Sequence, residues 1–312
     1  MASLAGLATT PHPLRDDATE TVRAIAVVAL AYFIMTLGDV AAKWALLPAG
    51  IGAVMIGRGL FGTIATVAVT VAERNLHQLV PVRWGLVLLR SAMHVMVSFS
   101  WYIAWLVVSL ADSYAIGFTA PLLMTLLAIP MLGERIRWRR ALSTAIGFCG
   151  VLLMIRPGSS LWRPELLILL PGIVGMAVSR IMARTLSTTE TPECLTFWLM
   201  LGHIPAGILL LHWFPIPGPL AVATLAALAM LGLLNGCGHM LMARAYAMAP
   251  VSALAPYEYT PLLWGGILGW IIFSELPTAS TLAGAAVVAA AGLYNLHRER
   301  VRRAEAARSA TV

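Results

Sequence analysis

Residues 117–123 read Gly-Phe-Thr-Ala-Pro-Leu-Leu, and residues 257–263 read Tyr-Glu-Tyr-Thr-Pro-Leu-Leu. In both places an apolar run follows the proline and ends on a small residue and a glutamate, Gly133-Glu134 in one and Ser274-Glu275 in the other. The distance from Pro121 to Glu134 is 13 residues and from Pro261 to Glu275 is 14. A further helix-length apolar segment follows each glutamate. One unit of structure therefore occurs twice, and duplicated units of this kind pack against each other to complete a common core.

The surroundings of the duplication are apolar throughout. Of 312 residues 60% are hydrophobic and 11% charged, with a mean hydropathy of +0.85, where a soluble domain averages about 25% charged residues. The polar residues fall in short clusters between runs of about 20 apolar residues, the length that crosses a hydrocarbon layer of about 30 Å. Ten runs are predicted, at 24–45, 50–71, 84–106, 110–131, 138–155, 165–186, 194–213, 220–244, 251–273 and 278–296. The expected fold class is an all-α integral membrane protein with ten transmembrane helices. No stretch remains for a soluble domain, and both polar tails are expected to be loosely ordered.

Arginine placement predicts the orientation. Arg15, Arg23, Arg74, Arg83, Arg135, Arg137, Arg139, Arg140, Arg184, Arg244 and the arginines of the C-terminal tail fall on one side, while Lys43, Arg156 and Arg163 fall on the other. The positive-inside rule then puts both termini in the cytoplasm of a multi-pass protein of the cytoplasmic (inner) membrane. A net charge of +7 is accounted for by this basic rim and its contact with anionic lipid, so no nucleic-acid partner is expected. The first apolar run is too long, and too polar at Asp39 and Lys43, for a cleaved signal peptide. Cys149, Cys194 and Cys237 lie in or beside apolar runs and read as small core residues rather than a disulfide framework.

Five crossings per half make the second half enter the membrane from the opposite side, so the halves are expected to be inverted repeats. The predicted division is a tail at 1–22, a first repeat at 23–158, a second repeat at 159–297 and a basic tail at 298–312. The order of motifs carries a resemblance. It includes Asp39-Val-Ala-Ala-Lys43, Arg58-Gly-Leu-Phe-Gly-Thr-Ile-Ala65, Ser113 through Pro121 to Gly133-Glu134-Arg135, and Gly147-Phe-Cys-Gly150 through Arg156-Pro157-Gly158. Ser252 through Pro261 to Phe273-Ser274-Glu275-Leu276-Pro277 then repeats the pattern. The chain resembles the drug/metabolite transporter superfamily, in particular its ten-helix EamA-type members. That resemblance implies a two-fold pseudosymmetric bundle, a central substrate cavity, and export or uptake of small metabolites by a secondary mechanism.

Intramembrane polar residues are the candidates for function, because a charge at mid-bilayer costs about 2.5–3.5 kcal/mol on insertion scales and faces a cavity or a partner. Asp39 and Lys43 are four residues apart on one helix face in the order that favours pairing, and Arg58 follows in the next helix. They read either as a structural ion cluster or as a charged gate. Glu258 sits between Pro256 and Pro261, where interrupted helix exposes backbone to a cavity; Pro121 marks the corresponding helix break in the first copy. Glu258 reads either as a proton-coupling carboxylate or as the partner of a distant arginine or a tyrosine, with Tyr257 and Tyr259 as neighbouring substrate contacts. Phe118 occupies its place in the first copy. Arg90, His94 and Trp101 share a face of the third helix. His94 is a candidate relay or substrate contact, and Trp101 and Tyr102 could stack on a solute or serve as interfacial aromatics. His203, Asn235 and His239 read as substrate contacts or interhelical hydrogen bonds, and Arg180 as a residue that snorkels to the cytoplasmic face.

No zinc-protease pair, nucleophile elbow or phosphate loop is present, so no enzyme activity, cofactor, metal or ATP-driven mechanism is expected. An intramembrane hydrolase or a channel is a weaker alternative, since a channel needs no inverted duplication. The expected partners are the lipid bilayer, a small-molecule substrate and protons if Glu258 and His94 relay them, with monomer and homodimer both open. The expected activity is outward movement of amino acids or related compounds. Uptake of a larger nucleoside-like or vitamin-like metabolite is the alternative.

Overall fold

In the computed structural model the described residues are 18–120, 122–123, 126–127, 138–156, 167–248 and 254–310; among them all regular structure is helical. The main elements are α1 (Ala18–Ala72), α2 (Trp84–Trp105), α3 (Leu110–Gly117), α4 (Trp138–Ile155) and α5 (Leu169–Leu186). They continue with α6 (Pro192–Leu201), α7 (His203–Leu210), α8 (Val222–Met248), α9 (Thr260–Phe273) and α10 (Ala279–Ala310). Short 3₁₀ turns stand at Leu76–Leu79 and Ala255–Tyr259.

Helix α1 is two helices joined at a sharp reversal. Gly50 has φ 75° and ψ 162°, a backbone conformation that only glycine adopts without strain. Asp39 and Arg58 come within 4.0 Å of each other, whereas a straight helix would hold residues 19 apart at about 28 Å. The arms at 18–49 and 51–72 thus form the hairpin expected from the runs at 24–45 and 50–71. The stretches Val22–Ala72, Trp84–Trp105, Pro192–Leu210 and Val222–Ala245 are long and apolar enough to cross a membrane. Shorter apolar helices occupy Ala145–Met154, Leu169–Ala183 and Ala279–Tyr294. Leu47, Ile208, Leu209, Val222, Leu263, Trp270 and Ile271 are exposed on the outside of the bundle. Apolar side chains facing outward in such number suit lipid rather than water.

Close helix contact depends on small residues, which let backbones approach in a medium where no hydrophobic force drives helix association. A Cβ on Gly232 of α8 would stand 2.5 Å from the Gly57 carbonyl and 2.6 Å from the Phe61 Cβ, both on the second arm of α1. A Cβ on Gly150 of α4 would lie 2.9 Å from the Gly284 carbonyl of α10. The buried core joins α1, α2, α3, α4, α5, α8 and α10 through residues such as Met55, Tyr102, Leu110, Val151, Leu169, Leu231 and Val288.

Three expectations are corrected here. The C-terminal tail is not loose: α10 runs on to Ala310, because its Ala, Glu and Arg residues are strong helix formers. The run at 110–131 is interrupted, with α3 ending at Gly117 and a turn at 118–119; Pro121 and Glu134 lie outside the described residues. Only Cys194 is buried, while Cys149 and Cys237 are exposed, all three as free thiols. The packing yields a paired prediction. Gly232→Ala should overpack the α1–α8 contact and destabilise the protein by about 1–3 kcal/mol. Gly266→Ala, with nothing within 4 Å of the added carbon, should leave the midpoint of thermal unfolding in detergent unchanged or raised.

Candidate functional site

Arg58 anchors a polar cluster inside the bundle. It is 5% exposed and lies eight residues, about 12 Å, beyond the Gly50 turn. Asp39 lies 11 residues, about 16 Å, before the same turn, so the pair falls near the middle of a layer about 30 Å thick. Arg58 Nη1 donates to Tyr102 Oη of α2 at 3.3 Å, and Nη2 meets His239 Nε2 of α8 at 3.4 Å. Tyr114 of α3 donates its hydroxyl to Asp39 Oδ2 at 2.7 Å. Four elements (α1, α2, α3 and α8) thus converge on one ion pair.

Three imidazoles extend the cluster. The His94 ring meets that of His203 at 5.5 Å and that of His239 at 5.3 Å between centroids, both edge to face. His203 Nδ1 is 2.8 Å from the Leu199 carbonyl, and since a carbonyl only accepts, that nitrogen carries a proton. Its Nε2 faces the Ser98 hydroxyl at 2.8 Å. His94 Nδ1, Arg58 Nε and Asn235 Oδ1 are buried with no hydrogen-bond partner among the described residues. Unpaired buried polar atoms are costly, and three in one region are what a solute-accepting core would hold in reserve. No group of His, Cys, Asp and Glu among the described residues is arranged to hold a metal.

The other expected site residues divide by burial. Trp101 and Tyr102 are buried inside the bundle, Trp101 against the α-carbon faces of Gly117 and Gly172. His203 and Asn235 are buried as well, and Asn235 donates to the Leu231 carbonyl of its own helix. Tyr257, Glu258 and Tyr259 are half-buried in the 3₁₀ turn that contains Pro256 and precedes Pro261 at the start of α9. The Tyr259 ring meets Phe118 edge to face at 4.8 Å.

Partner choice departs from the local spacing. Asp39 and Lys43 do not share one cluster. Lys43 Nζ donates to both oxygens of Glu275 at 2.6 and 2.8 Å, donates to the Val108 carbonyl at 2.8 Å, and lies over the Phe273 ring at 5.3 Å. The expected group of Asp39, Lys43 and Arg58 is therefore two ion pairs, one central and one toward the Gly50 end. Arg180 does not snorkel outward but pairs with Glu258 at 2.7 Å, the distant-arginine reading of that carboxylate. Arg90 bonds the Ser179 and Leu195 carbonyls rather than reaching for a surface. Tyr114 is a site residue that local patterns did not single out, and Glu275, singled out only as a landmark of the duplication, is the partner of Lys43. The signal for Glu275 was that Lys43, the only lysine, needed an acid near its own end of the bundle.

The chain as a whole is similar to known proteins. The EamA-like transporter family matches residues 22–156 and again residues 163–296. An S-adenosylmethionine uptake transporter of Rickettsia bellii is 28% identical over 208 residues, covering 64% of this chain and 68% of that protein. A riboflavin transporter of Rhizobium johnstonii is 30% identical over 203 residues, covering 64% and 66%. A pseudopaline exporter of Pseudomonas aeruginosa is 24% identical over 208 residues, covering 66% and 72%. A solved crystal structure superposes with a TM-score of 0.63 at 15% identity, covering 91% of this chain and 99% of the other.

The central ion pair supplies a stability prediction. Arg58→Gln strands the Asp39 carboxylate in the interior and should cost roughly 3 kcal/mol, the lower range for breaking a buried pair from one side. Asp39→Asn combined with Arg58→Gln should recover most of that loss. Thermal unfolding of the two variants side by side checks the order, and an equal loss in both would show that the pair itself is not what Arg58 contributes.

Proposed function

The chain belongs to the EamA-like transporter family, and from that premise we propose that it carries a small, ring-bearing metabolite, vitamin-like or nucleoside-like, across the cytoplasmic membrane. The observation that carries this reading is the mid-depth cluster of Arg58, His94, His203, His239 and Tyr102. It combines flat π faces with hydrogen-bonding atoms still unpaired, a set that suits a planar heterocycle with polar edges. The relatives named for S-adenosylmethionine and riboflavin transport both handle solutes of that kind. In this reading the protein is a carrier and not an enzyme, and the solute contacts are His94, Trp101, Tyr102, His203, Asn235, Tyr257 and Tyr259. Export of amino acids or related compounds is the second reading, favoured by the relative named as an exporter.

Alternating access follows if the halves at 23–158 and 159–297 are inverted five-helix repeats with both termini cytoplasmic. The helix contacts support that arrangement. Exchange of the halves would send the second arm of α1 to α6–α7, α3 to α9 and α4 to α10. Each such pair touches, at Gly59 with Met200, Gly265 with Tyr114, and Gly150 with Gly284. The same exchange turns the contact of the first α1 arm with α8 (Gly38 beside Asn235) into that of α5 with α2 (Gly175 beside Met93). Proton coupling in this reading runs through Glu258, whose pairing with Arg180 would loosen on protonation, and through His94.

Uptake into proteoliposomes, measured with labelled riboflavin, S-adenosylmethionine and a mixed amino-acid panel, tests the reading. Saturable transport of a ring-bearing solute is expected, falling at least tenfold in Arg58→Gln and in His94→Ala. Transport confined to simple amino acids would replace it with the second reading. Glu258→Gln should flatten the response to an imposed pH gradient, and an unchanged response would remove the coupling role.

A further inference from the structure

A chamber lies away from the central cluster, where α2, α3, α4 and the α9–α10 turn meet. Its volume is about 390 Å³, and its lining includes Trp105, Asp112, Arg156, Glu275, Thr278 and Thr281. That volume lies in the range of small-molecule sites, which pair an apolar wall with a few placed polar groups. Trp105 supplies the wall. It is 3% exposed, its indole nitrogen has no partner among the described residues, and its ring meets Tyr102 of the central cluster at 5.5 Å. The chamber therefore adjoins the Arg58 region, with two aromatic rings in contact between them.

Its charges are of both signs. Asp112 Oδ1 accepts from the Thr281 hydroxyl at 2.6 Å, and Thr281 in turn stands 2.8 Å from Thr278, which fixes the carboxylate in place. Glu275 is bound to Lys43 through both oxygens while also lining the chamber. Arg156 is held by a left-handed backbone, φ 49°, at the end of α4. Two carboxylates and a guanidinium around one indole match a group that carries an ammonium and a carboxylate together.

We propose that this chamber docks the α-amino-acid head of the solute, with the ammonium against Asp112 and Glu275 and the carboxylate against Arg156. This rests on the carrier reading above and narrows it to ring-bearing solutes with an amino-acid arm. Docking also has a mechanical consequence. An ammonium at Glu275 competes with Lys43 for the same two oxygens, so occupation loosens the ion pair that ties the first arm of α1 to the α9–α10 turn. The chamber is thereby both a selectivity filter and the trigger for opening at the Gly50 end.

Isothermal titration of the purified full-length protein with methionine, S-adenosylmethionine, adenosine and riboflavin tests the proposal. Methionine and S-adenosylmethionine should bind. Asp112→Asn, which keeps an acceptor for Thr281, and Arg156→Asn, which tolerates the left-handed backbone, should each weaken both at least tenfold. Any binding of adenosine or riboflavin should be unchanged in the variants, and an unaltered thermal midpoint shows that they fold. Equal affinity of both amino-acid ligands for wild type and variants overturns the docking site, as does failure of both to bind wild type. Binding and transport of riboflavin alone would overturn it too while leaving the carrier reading intact.

Discussion

Burial of the Arg58 guanidinium is the constraint on which the central architecture depends. A positive charge at mid-depth costs about 2.5–3.5 kcal/mol on insertion scales unless it finds partners, and Arg58 is 5% exposed. Its neighbours come from three directions: Asp39 from the other arm of α1, Tyr102 from α2 and His239 from α8. Asp39 can reach it only because Gly50 reverses the chain, and α8 only because Gly232 presents no side chain to the second arm. Turn, glycine and charge are thus parts of one arrangement. Loss of any one leaves the others without purpose.

Two of the outer ion pairs flank a single element. Helix α9 spans 14 residues, about 21 Å, with Glu258 just before it and Glu275 just after. Glu258 is held by Arg180 of α5 and Glu275 by Lys43 of α1. One side of α9 meets Tyr114, whose hydroxyl binds Asp39, while Leu263, Trp270 and Ile271 face outward. The helix is thus held by charge at both ends and carries exposed apolar side chains along its outer side.

Element positions were largely legible because they rest on local chemistry. The run at 138–155 coincides with α4, 84–106 with α2 to within a residue, and the prolines before α9 break it into a 3₁₀ turn and a helix. The central residues Asp39, Arg58, His94, Tyr102, His203 and His239 were also legible as polar atoms in apolar surroundings. Partnership was legible only in part. Asp39 and Arg58 were grouped together and do pair across the two arms of α1, but the spacing of four between Asp39 and Lys43 describes only a helix face, and Lys43 pairs with Glu275 instead. Arg180 was misread for the same reason, since hydropathy locates a charge by depth and carries no information about Glu258. The Asp112 chamber went unseen because its residues come from helix ends far apart in the chain.

The two halves keep their basic anchors and differ in their acids. Lys43 follows Gly38 by five residues, and Arg180 follows Gly175 by five, each on the leading helix of its half. Both glycines allow a close helix contact, Gly38 with Asn235 of α8 and Gly175 with Met93 of α2. The acid that Arg180 takes has no copy, because Phe118 stands three residues before Pro121 where Glu258 stands three before Pro261. Phe118 instead packs its ring on Tyr259, beside that very glutamate. A charged residue, Glu258, thus stands in one half where the other half has an aromatic one.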